Sequence, residues 1–248
     1  MSAWRLDRYL SLSGERTRSQ AVRAVRMGQV CVNGEPAKDP ARKVTQDDRV
    51  TLQGREVPLS AWQYYMFHKP AGVLTAARDR RAPTVMDLVP PALLHRRVLP
   101  VGRLDKDVTG LLLLTNDGAL AHALLDPNRG VWKRYRAQVS GRLTQEDAQA
   151  FARGIALEDF TARPAELGIV EANDAQSVAL VRVCEGRFHQ VKRMFQACGH
   201  EVLALHRAAF GPLELDETLP PGGFRPLTPQ EMEALRRAAA NDRAKGEG

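Results

Sequence analysis

The sequence predicts an α+β protein, in which a small N-terminal α/β domain precedes a larger domain of strands and flanking helices. Residues 1–26 carry apolar side chains at helical spacing, and short β-branched runs separated by turn signals follow them. From residue 62 onwards the chain is more apolar, and runs typical of strands alternate with capped helical segments. We therefore expect a first domain at 1–58, a second at 62–237 and a disordered tail at 238–248.

The first domain is predicted to contain two short helices and a hairpin. Its second helix runs from about Arg18 to Met27 and ends at Gly28, and Asn33 with Gly34 forms a tight turn after a strand at 30–32. The polar stretch from Gly54 to Ser60 is typical of a linker. The side chains expected to face inward from the two helices are Leu6, Tyr9, Leu10, Ala21, Val22 and Val25.

Charge in this domain indicates a polyanionic partner. Six arginines and two acidic residues leave residues 1–26 with a local charge of +4, and the whole chain of 248 residues carries +7. Such a basic surface favours nucleic acid first and a membrane surface second, although a basic helix face can also be merely solvated. The side chains that we expect to contact RNA are Arg5, Arg16, Arg18, Arg23 and Arg26.

Several classes of function are disfavoured. The longest apolar runs fall well short of the roughly 20 residues that span a bilayer, and the first residues do not form a signal peptide, so a cytoplasmic protein is expected. The three cysteines have no paired spacing, and neither a zinc-protease motif nor a phosphate-binding glycine loop occurs. We therefore expect neither a metal nor a nucleotide cofactor.

The second domain is organised around a run of four leucines, Leu111 to Leu114. Four consecutive apolar residues between glycine-containing turns predict a strand buried on both faces. The loop before it holds Asp105 between Arg103 and Lys106, which makes Asp105 the candidate catalytic carboxylate. A solvated, charge-rich turn is the alternative interpretation of this loop taken alone.

Other elements follow from local signals. Strands are predicted at 64–67, 133–139, 167–170, 177–183 and 201–206, and helices begin near Thr84, Gly118, Thr144, Phe188 and Thr228, with a loop at 159–164. Alternation along 133–139 brings Lys133 and Tyr135 to one face. Phe188, Val191 and Phe195 are expected to share a helix face. Arg187 falls at the start of that helix, where the dipole disfavours a cation by about 0.3–1 kcal/mol unless an anion lies nearby or the side chain points into water.

Three stretches together resemble a known family. Residues 102–110, 133–135 and 185–195 are similar to pseudouridine synthases of the RsuA type, and residues 5–10, 17–21 and 28–34 resemble the S-four RNA-binding domain. The resemblance implies a mixed, mostly antiparallel sheet with flanking helices. It also implies isomerisation of a uridine in ribosomal RNA without a cofactor, by an enzyme that we expect to be a monomer.

The resemblance implies a role for each matching residue. Asp105 matches the essential aspartate, and Tyr135 matches the tyrosine that stacks on the target base. Arg187 matches a basic residue that pairs with the aspartate, and Arg103 matches one that fills the space of the extruded nucleotide. Lys133 is expected to make a phosphate contact or a structural one. The family often has Thr or Ser where Val108 stands, a departure outside the Arg103 and Asp105 pair.

Three alternatives stay open. The stretch 187–193, which contains His189, favours small-subunit (16S) over large-subunit (23S) ribosomal RNA as the substrate. Asp105 and Asp107 could together perform glycoside hydrolysis, although a hydrolase also needs a general acid and a site for water. The basic N-terminal domain would suit a non-catalytic ribosome assembly factor. Whether Asp105 acts as nucleophile or as base also stays open.

Overall fold

The computed structural model describes residues 3–13, 16–45, 47–57 and 62–240. The chain divides into two compact units. One takes Met1–Gln63 together with Val89–Leu99 and Thr115–Asp117, and the other takes Tyr64–Leu88, Pro100–Leu114 and Gly118–Gly248. The first three residues of the predicted tail, 238–240, belong to the last helix, and the remainder of the tail lies outside the described residues.

In the described residues up to Val57 there are two helices and six short strands. In order they are β1 (Trp4–Arg5), α1 (Leu6–Leu12), α2 (Arg18–Arg26), β2 (Val30–Val32), β3 (Glu35–Pro36), β4 (Lys43–Val44), β5 (Val50–Leu52) and β6 (Arg55–Glu56).

Helix α2 begins at a reciprocal cap. Thr17 and Gln20 each accept a hydrogen bond from the other's backbone N–H. Its buried residues are Ala21, Ala24 and Val25, so the expectation that Val22 faces fully inward was wrong: Val22 is half-buried and Ala24 takes the inner position. Together with α1 and the short strands, these side chains form the core of the domain.

Two hairpins complete this domain. Asn33 and Gly34 both have positive φ, 55° and 87°, as the predicted tight turn between β2 and β3 requires. A second turn of the same kind at Gln53 and Gly54 joins β5 to β6. The linker predicted from Gly54 therefore starts too early, because its first residues form a hairpin, and residues 58–61 lie outside the described residues.

From residue 64 the elements are, in order, β7 (Tyr64–Lys69), a 3₁₀ turn (Val85–Leu88), α3 (Pro91–His95), β8 (Leu99–Pro100), β9 (Thr109–Thr115), α4 (Gly118–Leu125), a 3₁₀ turn (Pro127–Arg129), β10 (Lys133–Ser140), α5 (Gln145–Arg153), β11 (Ile155–Ala156), β12 (Thr161–Ala162), β13 (Glu166–Ala172), β14 (Gln176–Val183), α6 (Gln190–Ala197), β15 (Val202–Phe210), β16 (Leu213–Glu214), β17 (Phe224–Pro226) and α7 (Pro229–Ala240).

A large mixed sheet forms the centre of this second part. Its strand order is β13-β14-β10-β15-β9-β7-β17. The pairs β13–β14, β14–β10, β10–β15 and β7–β17 are antiparallel, whereas β15 and β9 run parallel. The predicted α+β class, with a mixed and mostly antiparallel sheet, is confirmed.

Strand β9 is the buried leucine strand that the sequence predicts. The four side chains from Leu111 to Leu114 are completely buried. At its start, Gly110 has a φ of 109°, and a Cβ there would lie 2.3 Å from the carbonyl oxygen of Arg207 on β15. Only glycine allows this approach, so the loop before β9 enters the sheet at a fixed point.

Several boundaries differ from the prediction because pairing extends past the local signal. Strand β7 continues through Lys69, and β15 continues to Phe210. The predicted loop at 159–164 contains β12, which pairs with β11. Helix α6 begins at Gln190, so Phe188 precedes it and is exposed, contrary to the helix face expected for it. Among the described residues, no helix is long and apolar enough to cross a membrane.

Candidate active site

The loop that carries Asp105 is held by backbone contacts on both sides of that residue. Thr75 Oγ1 donates a hydrogen bond to the Leu104 carbonyl at 2.7 Å and accepts one from the Leu104 N–H at 3.2 Å. The N–H of Gly72 donates to the Lys106 carbonyl at 2.8 Å. Asp105 therefore lies between two points at which the residues after β7 fix the loop backbone.

A buried lysine provides the third attachment. Lys69 has no exposed surface, and its Nζ donates to the carbonyls of Pro70, Lys106 and Val108 at 3.0, 3.1 and 2.8 Å. Burial lowers the pKa of Lys69 from 10.5 to about 8, while the charge of Asp107 partly opposes this shift. The three carbonyls use all three donors of an ammonium group, so the protonated form suits this position best.

Asp105 faces two basic side chains from the segment after β14. His189 Nε2 lies 3.5 Å from one carboxylate oxygen, and Lys192 Nζ lies 3.9 Å from the other. A cleft with about 430 Å³ of space, part of it open to solvent, surrounds this group. Its lining comprises Arg103, Leu104, Asp105, Val108, Tyr135, Val183, Glu185, Gly186, Arg187, His189, Gln190, Val191, Lys192 and Leu205.

Lys192 is shared between two carboxylates. Its Nζ contacts both oxygens of Asp107, at 2.7 and 2.6 Å, more closely than it contacts Asp105. The hydrogen bond from Lys192 lowers the pKa of Asp107, and partial burial opposes that effect. Asp107 therefore binds Lys192 directly and keeps it beside Asp105.

A buried polar pair shapes the turn that brings His189 to the cleft. Glu185 is 4% exposed, and its Oε1 accepts hydrogen bonds from the Arg163 N–H at 2.8 Å and from Gln190 Nε2 at 2.7 Å. Gln190 in turn accepts from the Arg187 N–H at 3.1 Å. His189 has a φ of 49°, in the left-handed region, and caps the start of α6. These bonds hold a conformation that a non-glycine residue adopts at a cost.

Arg187 does not pair with Asp105, and that prediction is wrong. Its Nε lies 4.0 Å from Glu185, and its guanidinium lies 4.6 Å from the centre of the Phe160 ring. Arg187 precedes the N-cap His189 by two residues and lines the cleft, where its guanidinium contacts Glu185 and the Phe160 ring. The basic partners of Asp105 are His189 and Lys192 instead.

Tyr135 and Lys133 lie on the same face of β10, as alternation predicts, but only Tyr135 lines the cleft. Lys133 is 4% exposed, donates to the Cys184 carbonyl at 3.3 Å and lies over the Phe210 ring. Burial lowers its pKa to about 8. These contacts of Lys133 lie within the protein and favour the structural alternative, and a phosphate contact by Lys133 stays a prediction.

The remaining predicted site residues are distributed between the two units. Arg103 is exposed at the cleft. In the first unit, Arg5 makes two hydrogen bonds to Asp7, at 3.2 and 2.8 Å, and Arg18 lies 3.6 Å from the same carboxylate. The bond from Arg5 lowers the pKa of the buried Asp7.

The other three arginines that are predicted to contact RNA are Arg16, Arg23 and Arg26. Arg23 and Arg26 are exposed in the last turn of α2, and Arg16 is half-buried.

Across the described ranges, no group of three or more His, Cys, Asp or Glu side chains is arranged to hold a metal ion.

Sequence reasoning gave no role to four residues of the site, namely Lys69, Thr75, His189 and Lys192. Lys69 carries no usable signal, because His68 separates it from the apolar run and a lysine at the end of a strand is usually exposed. His189 and Lys192 are three residues apart, a spacing that brings side chains together on a helix. Thr75 carries no such signal.

Comparisons with known proteins establish the family. The family model described as RNA pseudouridylate synthase matches residues 63–197, and the S4 domain model matches residues 4–50. An uncharacterized RNA pseudouridine synthase of Bacillus subtilis, YtzG, is 39% identical over 238 residues, which cover 95% of this chain and 100% of that relative.

Two further comparisons agree. Ribosomal small subunit pseudouridine synthase A of Vibrio parahaemolyticus is 38% identical over 233 residues, covering 93% of this chain and 99% of the relative. A solved pseudouridylate synthase is 36% identical and superposes with a TM-score of 0.65, covering 94% of this chain and 99% of the other. The chain belongs to the RNA pseudouridylate synthase family and carries an S4 domain. The predicted enzyme class is confirmed.

Proposed function

We propose that this enzyme converts a uridine of small-subunit ribosomal RNA to pseudouridine, with Asp105 as its catalytic residue and without a cofactor. The observation that carries the proposal is the position of Asp105, at the centre of a cleft with Tyr135, His189 and Lys192. The relative from Vibrio parahaemolyticus, which is 38% identical over nearly its whole length, is named for the small subunit and supports that choice of substrate.

The reaction requires a carboxylate that reaches the nucleoside. The bond between uracil N1 and ribose C1′ breaks, a bond between uracil C5 and C1′ forms, and a proton lost from C5 is balanced by one gained at N1. Nothing is oxidised and no water is consumed. Of the cleft carboxylates, Glu185 is buried and accepts hydrogen bonds from the Arg163 N–H and Gln190, whereas 26% of the Asp105 side chain is exposed. Asp105 is the group that can act on the nucleoside as nucleophile or as base.

The neighbours of Asp105 define what surrounds the uracil. Tyr135 provides an aromatic face on which a base taken out of its RNA stack can rest. His189 Nε2 and Lys192 Nζ lie 3.5 and 3.9 Å from the two oxygens of the Asp105 carboxylate. The apolar cleft residues are Leu104, Val108, Val183, Val191 and Leu205, and they limit the access of water to the cleaved ribose.

RNA binding by the N-terminal domain completes the proposal. The exposed guanidinium groups of Arg23 and Arg26 on α2 are suited to phosphate contacts, and a ribosomal RNA substrate places the enzyme in the cytoplasm with the ribosome. The same reaction on large-subunit RNA and a purely RNA-binding assembly role are the competing functions.

Pseudouridine mapping tests the proposal directly. Ribosomal RNA from cells lacking the gene is labelled with a carbodiimide and read by primer extension, beside RNA from cells rescued with wild type or with Asp105→Asn. We expect one missing stop in small-subunit RNA, restored by wild type and not by Asp105→Asn. A missing stop in large-subunit RNA would correct the substrate. An unchanged map in both subunits would leave the assembly role, and restoration by Asp105→Asn would remove the catalytic role of Asp105.

A further inference from the structure

Phe188 presents a bare aromatic face beside the cleft. Its side chain is 72% exposed, and every other aromatic side chain in the described ranges is half-buried or buried. A single exposed apolar residue needs no explanation by itself. Phe188 differs for two reasons. One face of its ring is covered by another ring, and its two neighbours in sequence, Arg187 and His189, both line the cleft.

The covered face of Phe188 rests on His189. The two ring centres are 3.8 Å apart and the planes differ by 16°, so the rings are stacked. His189 lines the cleft, and its Nε2 is 3.5 Å from Asp105. The two rings therefore form a short stack that begins at the catalytic carboxylate and ends in solvent.

This stack is built on a rigid turn. Gln190, the residue after His189, binds both the buried Glu185 and the Arg187 N–H, which precede the stacked rings in sequence, and these bonds fix the turn in which His189 is left-handed. A turn held by buried hydrogen bonds presents the Phe188 ring without further ordering. Preorganised aromatic surfaces bind planar ligands at the lowest entropic cost.

Cationic side chains lie on both of the segments that form the contact between Asp105 and His189. Arg187 has a 60% exposed side chain, and Arg103 and Lys106 are exposed on the loop that carries Asp105. Aromatic rings among cations are the usual means by which proteins hold unpaired nucleic acid, since the rings stack on bases and the cations bind phosphates. The occupant that fits is a nucleobase.

Resting on the function proposed above, we propose that Phe188 and His189 form a stacking platform for the unpaired base adjacent to the target uridine. A uridine that enters the cleft leaves its stack, so its neighbour loses one stacking partner. The Phe188 ring replaces that partner at the mouth of the cleft. This gives the platform a part in substrate selection that is separate from the chemistry at Asp105.

The test uses the full-length enzyme and single-turnover kinetics with enzyme in excess. The substrate is a ribosomal RNA fragment that wild type converts, prepared intact and with an abasic nucleotide on either side of the target uridine. The variants are Phe188→Leu, which keeps an apolar side chain without the ring, and Phe188→Trp, which keeps a ring. Val170→Ala, which truncates a 52% exposed side chain on β13, is the control.

We expect Phe188→Leu to raise the half-saturating enzyme concentration about ten-fold on intact RNA, with little change in the limiting rate. Phe188→Trp and Val170→Ala should stay near wild type. An abasic nucleotide at one of the two flanking positions should raise the half-saturating concentration of wild type about ten-fold. The same RNA should bind Phe188→Leu almost as well as intact RNA does, because this variant has already lost the ring on which the base would stack.

Other results would overturn the platform. One is that each abasic RNA weakens binding equally for wild type and Phe188→Leu. Another is that Phe188→Leu lowers the limiting rate and leaves the half-saturating concentration unchanged. A third is that Phe188→Leu affects conversion of ribosomal particles but not of free RNA. The last result would identify a protein partner instead. Failure of the proposed function looks different, because wild type would then convert no fragment of ribosomal RNA from either subunit.

Discussion

The ammonium group of Lys69 donates a hydrogen bond to the carbonyl oxygen of Val108 at 2.8 Å, across 39 positions of sequence. The same group binds the Lys106 carbonyl, so one buried cation holds the loop just after Asp105. Rigid placement of a reacting group is worth a large part of a catalytic barrier, and a displacement of about 1 Å can cost about 100-fold in rate. The position of Asp105 thus depends on a residue outside the cleft lining.

Replacement of Lys69 should therefore affect catalysis more than binding. We expect Lys69→Met to lower kcat about 100-fold and to leave the affinity for RNA nearly unchanged, because the loop that carries Asp105 loses the two contacts through the Lys106 and Val108 carbonyls. Lys133→Met is the matched control, since Lys133 is also buried but donates to the Cys184 carbonyl rather than to the loop that carries Asp105. Single-turnover rates and filter-binding affinities measure the two effects. Equal losses of kcat in both variants would show a general loss of stability instead.

The two buried lysines also predict how stability varies with pH. Burial lowers the pKa of each to about 8 from 10.5, so between these values the unfolded chain holds more protons than the folded one. The free energy of unfolding then rises with pH across this window, and below pH 8 the two lysines add no slope. Tyr9 has the opposite effect, because burial raises its pKa to about 12, but it acts only above pH 10.

Urea unfolding of wild type and Lys133→Met at pH 8 and pH 10 isolates this contribution. The free energy of unfolding of wild type, relative to Lys133→Met, should rise by about 1–2 kcal/mol over these two pH units. A difference that stays constant with pH would mean that Lys133 keeps its ordinary pKa in the folded protein.

The elements that sequence patterns could predict are those specified by neighbouring residues. Four leucines between turns define β9, and the positive φ values of Asn33 and Gly34 follow from the residue types that tolerate them. The cap that Asp147 makes with Thr144 at the start of α5 is equally local. Such signals need no knowledge of the rest of the chain.

The contacts that were missed depend on segments far apart in sequence. Lys192 on α6 meets Asp105 on the loop before β9, and β9 pairs in parallel with β15, the strand that follows α6. The motif predicts that Arg187 pairs with Asp105. In the structure Arg187 lies 4.0 Å from Glu185 instead, and Glu185 is a buried residue of the same turn. A motif could identify the residues of the cleft, while sheet register decides which of them touch.

The two aspartates of the loop should differ sharply in their importance. Asp105→Asn is expected to abolish turnover with nearly unchanged RNA binding. Asp107→Asn should stay within about ten-fold of wild type, because it weakens the hold on Lys192 but removes neither Lys192 nor the Asp105 carboxylate. Comparable loss in both variants, or release of free uracil from the substrate, would support a paired-carboxylate hydrolase. Single-turnover assays that separate pseudouridine from uracil distinguish these outcomes.

Salt dependence should separate the arginines of the N-terminal domain. Arg23 and Arg26 are exposed on α2, whereas Arg5 is bound to Asp7 and Arg49 pairs with Glu56 at 3.0 Å. Each phosphate contact contributes about 0.7–0.9 to the slope of log affinity against log salt concentration.

The Arg23→Gln, Arg26→Gln double variant should therefore bind the RNA substrate more weakly and lower this slope by about 1.5, while Arg49→Gln leaves it unchanged. Affinity measured at several salt concentrations provides the slope. An unchanged slope in the double variant would mean that this face of α2 is only solvated, and that the phosphate contacts are made elsewhere on the enzyme.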